Sequence, residues 1–479
     1  MKKILVALCL LIGLIVLAGI AAVLLVDVNA HKPRIENAVS DALGMEFRIR
    51  GKVGLRLFPS ASVVLSDVRL RNRGSDLATA GAVRAGVELL PLLRRQLVIT
   101  NLALVDPIIR IEKGADGKFN FETPPRPAKP PEDGEKTGTS LSVANGALKN
   151  GGFVYLDRAT GGKTEVSGVE IALKELSLPA SSDVPLTKGI RFSGTLRIKE
   201  LKTPEATVRD LEAKVAASGG IYDIRPFTMK LFGGKGEGGI RTDLSKGEPA
   251  LRIDYTLTDF RAEESLAAVS KEKRLSGPLT LSPDLSLRGT AAGRMKRTLN
   301  GKVSLRGKGL TVHGMDIDNM LSTVSAAQQL NLADVGTFML AGPLGTAVTK
   351  GYRFGGTGGR GKDTEVTMLV SDWTVRDGIA ESRDVAFSTR RNRIALKGRL
   401  DLVNERFVDV TVAVLDPKGC VRIRQKIGGP FRNPQVDKTS ALESAVVGSL
   451  LDLLAPARKL VGGSSECERF YAGSVPHPN

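Results

Sequence analysis

Hydrophobic and polar residues follow three different patterns along this chain, and each predicts a different element. From Ile4 to Val26 there is no charged residue at all. Read as a helix rising ~1.5 Å per residue, that stretch reaches roughly 35 Å, enough to cross a hydrocarbon core of ~30 Å with some tilt. Lys2 and Lys3 precede it and Asp27 follows. The positive-inside bias therefore keeps residues 1–3 cytoplasmic and exports the remainder, a bias that Lys32 and Arg34 weaken. The alternative is a cleaved signal peptide with Val28 and Ala30 before the cut, but a secretory core of about 7 to 15 residues is shorter than this one. Cys9 follows Leu8 and lies early in the stretch, so it reads as a small apolar residue of the helix.

The second pattern has a period near 3.6. His31 to Leu43 places Ile35, Ala38, Val39, Ala42 and Leu43 on one face, with Pro33 near the start and Gly44 as the stop. The third has a period of 2. Phe47, Ile49, Val53, Leu55 and Leu57 alternate with Arg48, Arg50, Lys52, Gly54 and Arg56, and Val68 and Leu70 alternate with Arg69 and Arg71. Leu102, Leu104, Ile109 and Ile111 continue it, so residues 27–122 predict a helix followed by half-buried antiparallel strands.

Residues 123–140 hold five prolines and no apolar period, which predicts a linker and a domain boundary. From 141 to 438, runs such as GFVYLDR, RFSGTLRIKE and ALRIDYTLTDF recur between turn residues and predict a long meander. Helical patches at Ala262–Val269 and Ile317–Leu330 interrupt it. Residues 439–479 close the chain with an amphipathic helix, Ala441 to Leu454, and a tail; packing on a sheet and docking on a membrane or partner both fit that helix. The expected fold is mainly β: a transmembrane helix at 4–26, then antiparallel sheet with a few short amphipathic helices.

With 479 residues the chain has room for two or three cores. Its 69 basic and 51 acidic residues leave a net charge of +18, which raises the question of nucleic acid. The basic residues are dispersed along strands, and five tyrosines and one tryptophan make no stacking platform, so no nucleic acid is expected. The surface reads as a solvated basic face or one suited to anionic lipid headgroups.

Candidate chemistry is sparse. Gly356 to Asp363 matches a phosphate-loop spacing but ends in Asp363 where Ser or Thr would hold magnesium, and Gly234, Gly236 and Gly239 precede a strand-like run; both read as hairpin turns. Three histidines are scattered, and HExxH, CxxC and GxSxG are absent, so no catalytic residue, cofactor or metal is expected and the chain does not read as an enzyme. In an oxidising compartment Cys420 and Cys467 could bridge their 47-residue interval, worth about 4 kcal/mol by loop entropy; the alternative is two unpaired thiols.

The N-terminal 120 residues resemble the AsmA family of bacterial envelope proteins. The resemblance rests on HKPRIENAVSDALGMEFRIRGKVGLRLFPSASVVLSDVRLRN, with Gly44, Phe58 and Pro59 at the family's helix stop and FP step. It continues through Pro91-Leu92-Leu93, Asp106-Pro107 and Gly117-Lys118-Phe119-Asn120, and more diffusely through the turn at Gly429, Phe431, Asn433 and Pro434. It implies an elongated, curled β-groove related to bridge-like lipid-transfer proteins. Such a protein is anchored in the inner membrane with its body in the periplasm, and carries phospholipid toward the outer membrane in support of outer-membrane assembly and homeostasis. Phe47, Ile49, Leu55, Leu57, Val68, Leu70, Leu102, Leu104, Ile109 and Ile111 would then line the groove, and the outer membrane or an envelope protein would meet its distal end. Alternation alone favours an ordinary sandwich whose aliphatic faces fill each other, and only the resemblance points to an open groove. A scaffold that assists outer-membrane protein assembly without carrying lipid shares all of these features.

Overall fold

Short connections between alternating segments leave each strand little choice but to pair with its neighbour. Gly219–Gly220, Phe232–Gly233 and Asp377–Gly378 each have both φ angles positive and each joins two strands directly. This is the two-residue hairpin whose hand matches strand twist. The computed structural model describes residues 28–56, 62–72, 74–88, 99–122, 142–179, 185–268, 275–321, 362–437, 467 and 469–478. The expected anchor at 4–26, Leu57, the stretch 123–140 and the helix at 441–454 lie outside them. Among the described residues no helix is long and apolar enough to cross a membrane. The fold is mainly β with a few short helices, and it divides into two compact units.

The first unit spans Met1–Leu186 and Ile190–Pro204. Its strands are β1 (Glu46–Ile49), β2 (Val53–Arg56), β3 (Ser62–Asn72), β4 (Ser75–Val87), β5 (Ile99–Val105), β6 (Ile108–Lys113), β7 (Ser142–Asp157), β8 (Lys163–Ser177) and β9 (Arg191–Lys202). β1 and β2 follow one another along β3, and β4 lies on the other side of β3. β5 and β6 follow one another between β4 and β7, broken at Asp106-Pro107, and β8 and β9 complete the order.

Two expectations change here. β7 runs parallel to β5 and β6, so the sheet is not wholly antiparallel. The chain leaves β6 and returns at β7 in the same direction, which a tight hairpin cannot do. And because β7 pairs with strands that precede residues 123–140, the first compact unit continues past them to Pro204, with Thr187–Gly189 counted in the second.

Helix α1 (Lys32–Leu43) stops at Gly44, whose φ of 69° lets its N–H reach Ser40 O at 2.8 Å. The side it buries is polar, unlike the apolar face expected. Ala38 is exposed, Leu43 is 51% exposed, and Ile35 and Val39 are half-buried, while Glu36 is buried. The reason is the free edge of the sheet. The Ile49 N–H donates to Glu36 Oε1 at 2.7 Å, Phe47 N–H to Ser40 Oγ at 2.9 Å, and Val53 N–H to Asn29 Oδ1 at 2.9 Å. Helical side chains thus satisfy the outward amides of β1 and β2, which would otherwise form an open pairing edge.

The second unit spans Thr187–Gly189 and Glu205–Asn479. It contains β10 (Thr207–Ser218), β11 (Ile221–Leu231), β12 (Gly234–Asp243), β13 (Ala250–Arg261), β14 (Leu275–Ser276), β15 (Pro278–Arg288), β16 (Asn300–Val312), β17 (Thr364–Arg376), β18 (Ile379–Thr389), β19 (Arg393–Asp401), β20 (Arg406–Leu415), β21 (Val421–Pro430) and β22 (Gln435–Asp437). They pair antiparallel in chain order, with β14 and β15 both against β16. Of the expected helical patches, Ala262–Ala267 and Ile317–Met320 are helical, while residues 269 and 322–330 lie outside the described residues. Gly234, Gly236 and Gly239 lie within strand β12, not in a turn.

Both faces of β17–β20 are covered. On one, Trp373, Phe387, Leu400, Phe407 and Val412, each at most 3% exposed, belong to a single buried cluster. On the other, Val370, Ala386, Ala395 and Ala413 form a cross-strand row, and Tyr471 and Val475 of the C-terminal segment pack with them. Small side chains leave that segment room to lie down. Cys420 and Cys467 are joined in a disulfide, with Cα atoms 6.0 Å apart, at the start of this strap. Tyr471 Oη donates to Asp384 Oδ1 at 2.5 Å, and the Ser474 amide and hydroxyl donate to Asp384 Oδ2 at 2.9 and 2.6 Å. Burial alone would raise the Asp384 carboxyl, but these donors bind its charged form and hold it below the usual aspartate range.

Two outcomes follow. Glu36→Ala leaves the buried Ile49 amide without its acceptor, so a loss of about 1–3 kcal/mol is expected, with hydrogen exchange at the Ile49 amide accelerated; an unchanged exchange rate would remove the edge-capping role. A carboxylate held low stabilises the docked strap above its unfolded pKa of ~3.9 and loses that contribution as pH falls through the lower folded value. Proteolysis within 469–478 should therefore rise below about pH 4, and Asp384→Asn should flatten that dependence.

Candidate functional site

Strict alternation cannot carry one apolar face along strands of this length, because the aliphatic residues change phase partway. In LSDVRL, LTDFRA and FVDVTV the apolar positions stand three apart across an aspartate. The structure places a left-handed residue at that step: Asp67, Asp106 and Asn150, with Gly168, in the first unit, and Asp210, Asp259 and Asp409, with Gly309, in the second. Asp and Asn tolerate this conformation better than other side chains, and Gly adopts it freely. The extra residue shifts the alternation by one, so the apolar side chains before and after it share a face. A Cβ at Gly151 would lie 2.5 Å from Leu148 Cδ2, and one at Gly307 2.8 Å from Leu310 Cδ1. Both pairs stand three apart across a left-handed residue.

Neighbouring strands carry the shift at the same level in the first unit. Asn150 Nδ2 donates to Asp106 Oδ1 at 2.7 Å, the Asp106 amide donates to Lys149 O at 2.9 Å, and Gly81 lies against the Asp106 carboxylate. Aliphatic residues consequently line up across the sheet. Val53, Leu65, Val83, Leu104, Leu148, Ile171 and Leu196 form one unbroken row from β2 to β9. Phe47, Leu70, Ala78, Ile109, Phe153, Val166 and Leu201 form another, from β1 to β9. With six spacings of ~4.8 Å each row is roughly 29 Å long. No titratable group stands in either.

The residues expected to line a groove fall on this face. Phe47, Leu70 and Ile109 share one row, Leu104 stands in the other, and Leu55 and Leu102 share a third with Val63 and Ala85. Ile49 pairs with Val68, and Ile111 with Tyr155. Leu57 lies outside the described residues. Leu55, Leu102 and Ile109 remain 37%, 36% and 40% exposed, while Ile49 and Val68 are buried. Sequence reasoning missed the partners on β7–β9, among them Leu148, Phe153, Ile171 and Leu196; the recurring h-x-D/N/G-h step was the available signal.

In the second unit, Val215, Ile224, Ile240, Ile253 and Leu285 make a comparable row across β10–β15, every member half-buried. Toward β17–β20 the same kind of face is packed shut. An aliphatic face left free along the whole body is therefore not what the structure has. Among the described residues, the clusters of fully buried side chains belong to the second unit. Charged residues stand between the apolar positions, as in the Arg241–Asp223 and Arg252–Asp284 pairs at 3.0 and 3.2 Å. These pairs are exposed and contribute little to stability.

The model of one protein family, described as the AsmA family, matches residues 1–194 and 190–384. No curated protein and no solved structure matches the chain.

The phase shift can be tested at Asp259, whose φ is 52°. Asp259→Ala is expected to cost about 1–2 kcal/mol and Asp259→Gly less than that. Equal losses in urea unfolding would show that the left-handed step is not what holds the register.

Proposed function

This chain belongs to the AsmA family, and from that premise we propose an envelope protein that lays the acyl chains of phospholipid on the aliphatic face of β1–β9. One observation carries the proposal: beyond Ile49, Val53 and Val68, which are buried, the rows across β1–β9 stay half-open, whereas equivalent side chains on β17–β20 are at most 3% exposed. Aliphatic surface that the chain does not cover for itself favours an apolar occupant. Each CH₂ that moves from water onto such a face gains ~0.8 kcal/mol, so tails can stay out of water without any chemical step. A row roughly 29 Å long is close to the ~30 Å hydrocarbon core of a bilayer.

The remaining parts fit the same reading. Residues 4–26 anchor the chain in the inner membrane and the body stands in the periplasm, an oxidising compartment that suits the Cys420–Cys467 bond. The partner is phospholipid, with the outer membrane or an envelope protein receiving it, in support of outer-membrane assembly. Binding and movement on this face need no catalytic residue and no cofactor.

Ile109→Asp in the full-length protein tests it. Ile109 is 40% exposed, so the variant should melt as the wild type does. An unpaired carboxylate in the row should lower co-extracted phospholipid about tenfold, as measured by native mass spectrometry. Unchanged lipid would refute this face as the carrier surface, and a protein partner found in place of lipid would support a scaffold for outer-membrane protein assembly.

A further inference from the structure

Strand β12 is short of side chains where its neighbours are rich in them. Gly234, Gly236 and Gly238 pair with Leu231, Met229 and Phe227 on one side, and Gly236 and Gly238 with Leu257 and Tyr255 on the other. The space this leaves is taken by one ring. A Cβ at Gly236 would overlap the Tyr255 hydroxyl and lie 2.7 Å from Tyr255 Cζ, and one at Gly238 would lie 2.9 Å from Tyr255 Cδ2. Tyr255 lies flat over the glycines, with the Phe227 ring 5.6 Å away, and packs against the cluster that contains Leu257 and Phe260.

The Tyr255 hydroxyl is buried and has no hydrogen-bond partner in the protein. Buried tyrosines ordinarily find one, because an unmade hydrogen bond costs the desolvation of the group. Burial, and to a lesser degree Glu237, pushes its pKa up to about 12, so at neutral pH it is a neutral donor. A neutral donor set among aliphatic side chains is matched by an acceptor oxygen that itself travels with hydrocarbon. Phosphate fits poorly there, since among the described residues no cation pairs beside Tyr255 on that face of β11–β13.

Resting on the acyl-chain reading above, we propose that Tyr255 is a binding residue for the ester carbonyl of a diacyl glycerolipid lying on the apolar face of β10–β13. The half-buried ring lifts from Gly236 by side-chain rotation, and the hydroxyl donates to the carbonyl oxygen while Ile240, Ile253 and Leu257 meet the chains. Glycine at 236 and 238 gives the ring its resting place when no carbonyl is there. The site therefore distinguishes ester-linked from ether-linked lipids of equal chain length, a distinction an aliphatic row cannot make.

The test offers the full-length protein an equimolar mixture of dioleoyl phosphatidylethanolamine and its dialkyl ether analogue, with bound lipid read by native mass spectrometry. The wild type should hold the ester form in about fivefold excess, the worth of one net hydrogen bond. Tyr255→Phe should bring the ratio near one without lowering total lipid or the melting temperature, since no internal bond is lost. Equal binding by the wild type, or an ester preference that survives in Tyr255→Phe, overturns the site while the acyl-chain reading stands. A fall in melting temperature also overturns it, by revealing an internal partner. Should the wild type hold neither lipid, the acyl-chain reading fails and the site falls with it.

Discussion

Everything distinctive about this protein depends on keeping aliphatic residues on one side of strands that are too long and too twisted to do so by alternation. A slip of one residue turns every side chain beyond it to the opposite face. The chain makes that slip in several of its strands, at residues that accept a positive φ. Asp106 and Asn150 make the point within the first unit, because they stand beside one another on neighbouring strands and are joined by a side-chain hydrogen bond, with a backbone bond from Asp106 to Lys149. The rows on either side of them remain apolar as a result. A single bulge would misalign its strand, whereas a matched set moves all of them together.

The same strand grammar produces two outcomes. On β17–β20 the aromatic residues Trp373, Phe387 and Phe407 and their aliphatic neighbours fill one face, and a disulfide-held strap occupies an alanine row on the other. On β1–β9 the rows are mostly Val, Leu, Ile and Ala, with Phe47 and Phe153 as their aromatic members, and beyond Val53 they stay half-open. Close packing needs volume as well as hydrophobicity. Where large side chains are supplied from both sides the sheet becomes a core, and where they are not it remains a surface. Function is most economically placed on the surface that the protein leaves uncovered.

Polar groups mark the ends and the exceptions. Glu36, Ser40 and Asn29 close the edge of β1 and β2 by accepting its outward amides, so a helix first expected to bind through Ile35, Val39 and Leu43 attaches through carboxylate, hydroxyl and amide groups instead. Asp384 fastens the strap at the far end of the chain. Tyr255 is the exception, a hydroxyl on an aliphatic face with nothing in the protein to bind.

Much of this was legible in the residues themselves. Period-2 alternation at Phe47–Leu55, Val68–Leu70 and Leu102–Ile111 identified strands and their apolar side, because side-chain direction in a strand is a local property. The stop at Gly44 was equally local, as was the family likeness around Asp106-Pro107 and Gly117-Asn120. What sequence reasoning could not supply was set by partners distant in the chain. Whether Leu104 meets Leu148 depends on β7 running parallel to β5, and whether Ile394 is buried while Ile109 is open depends on what packs above each. Glycine at 236 looked like a turn until Tyr255 was found lying on it. Alternation decides which way a side chain points, but burial and hydrogen-bond satisfaction are properties of the neighbours it meets, and those are assigned only when the strands are in register.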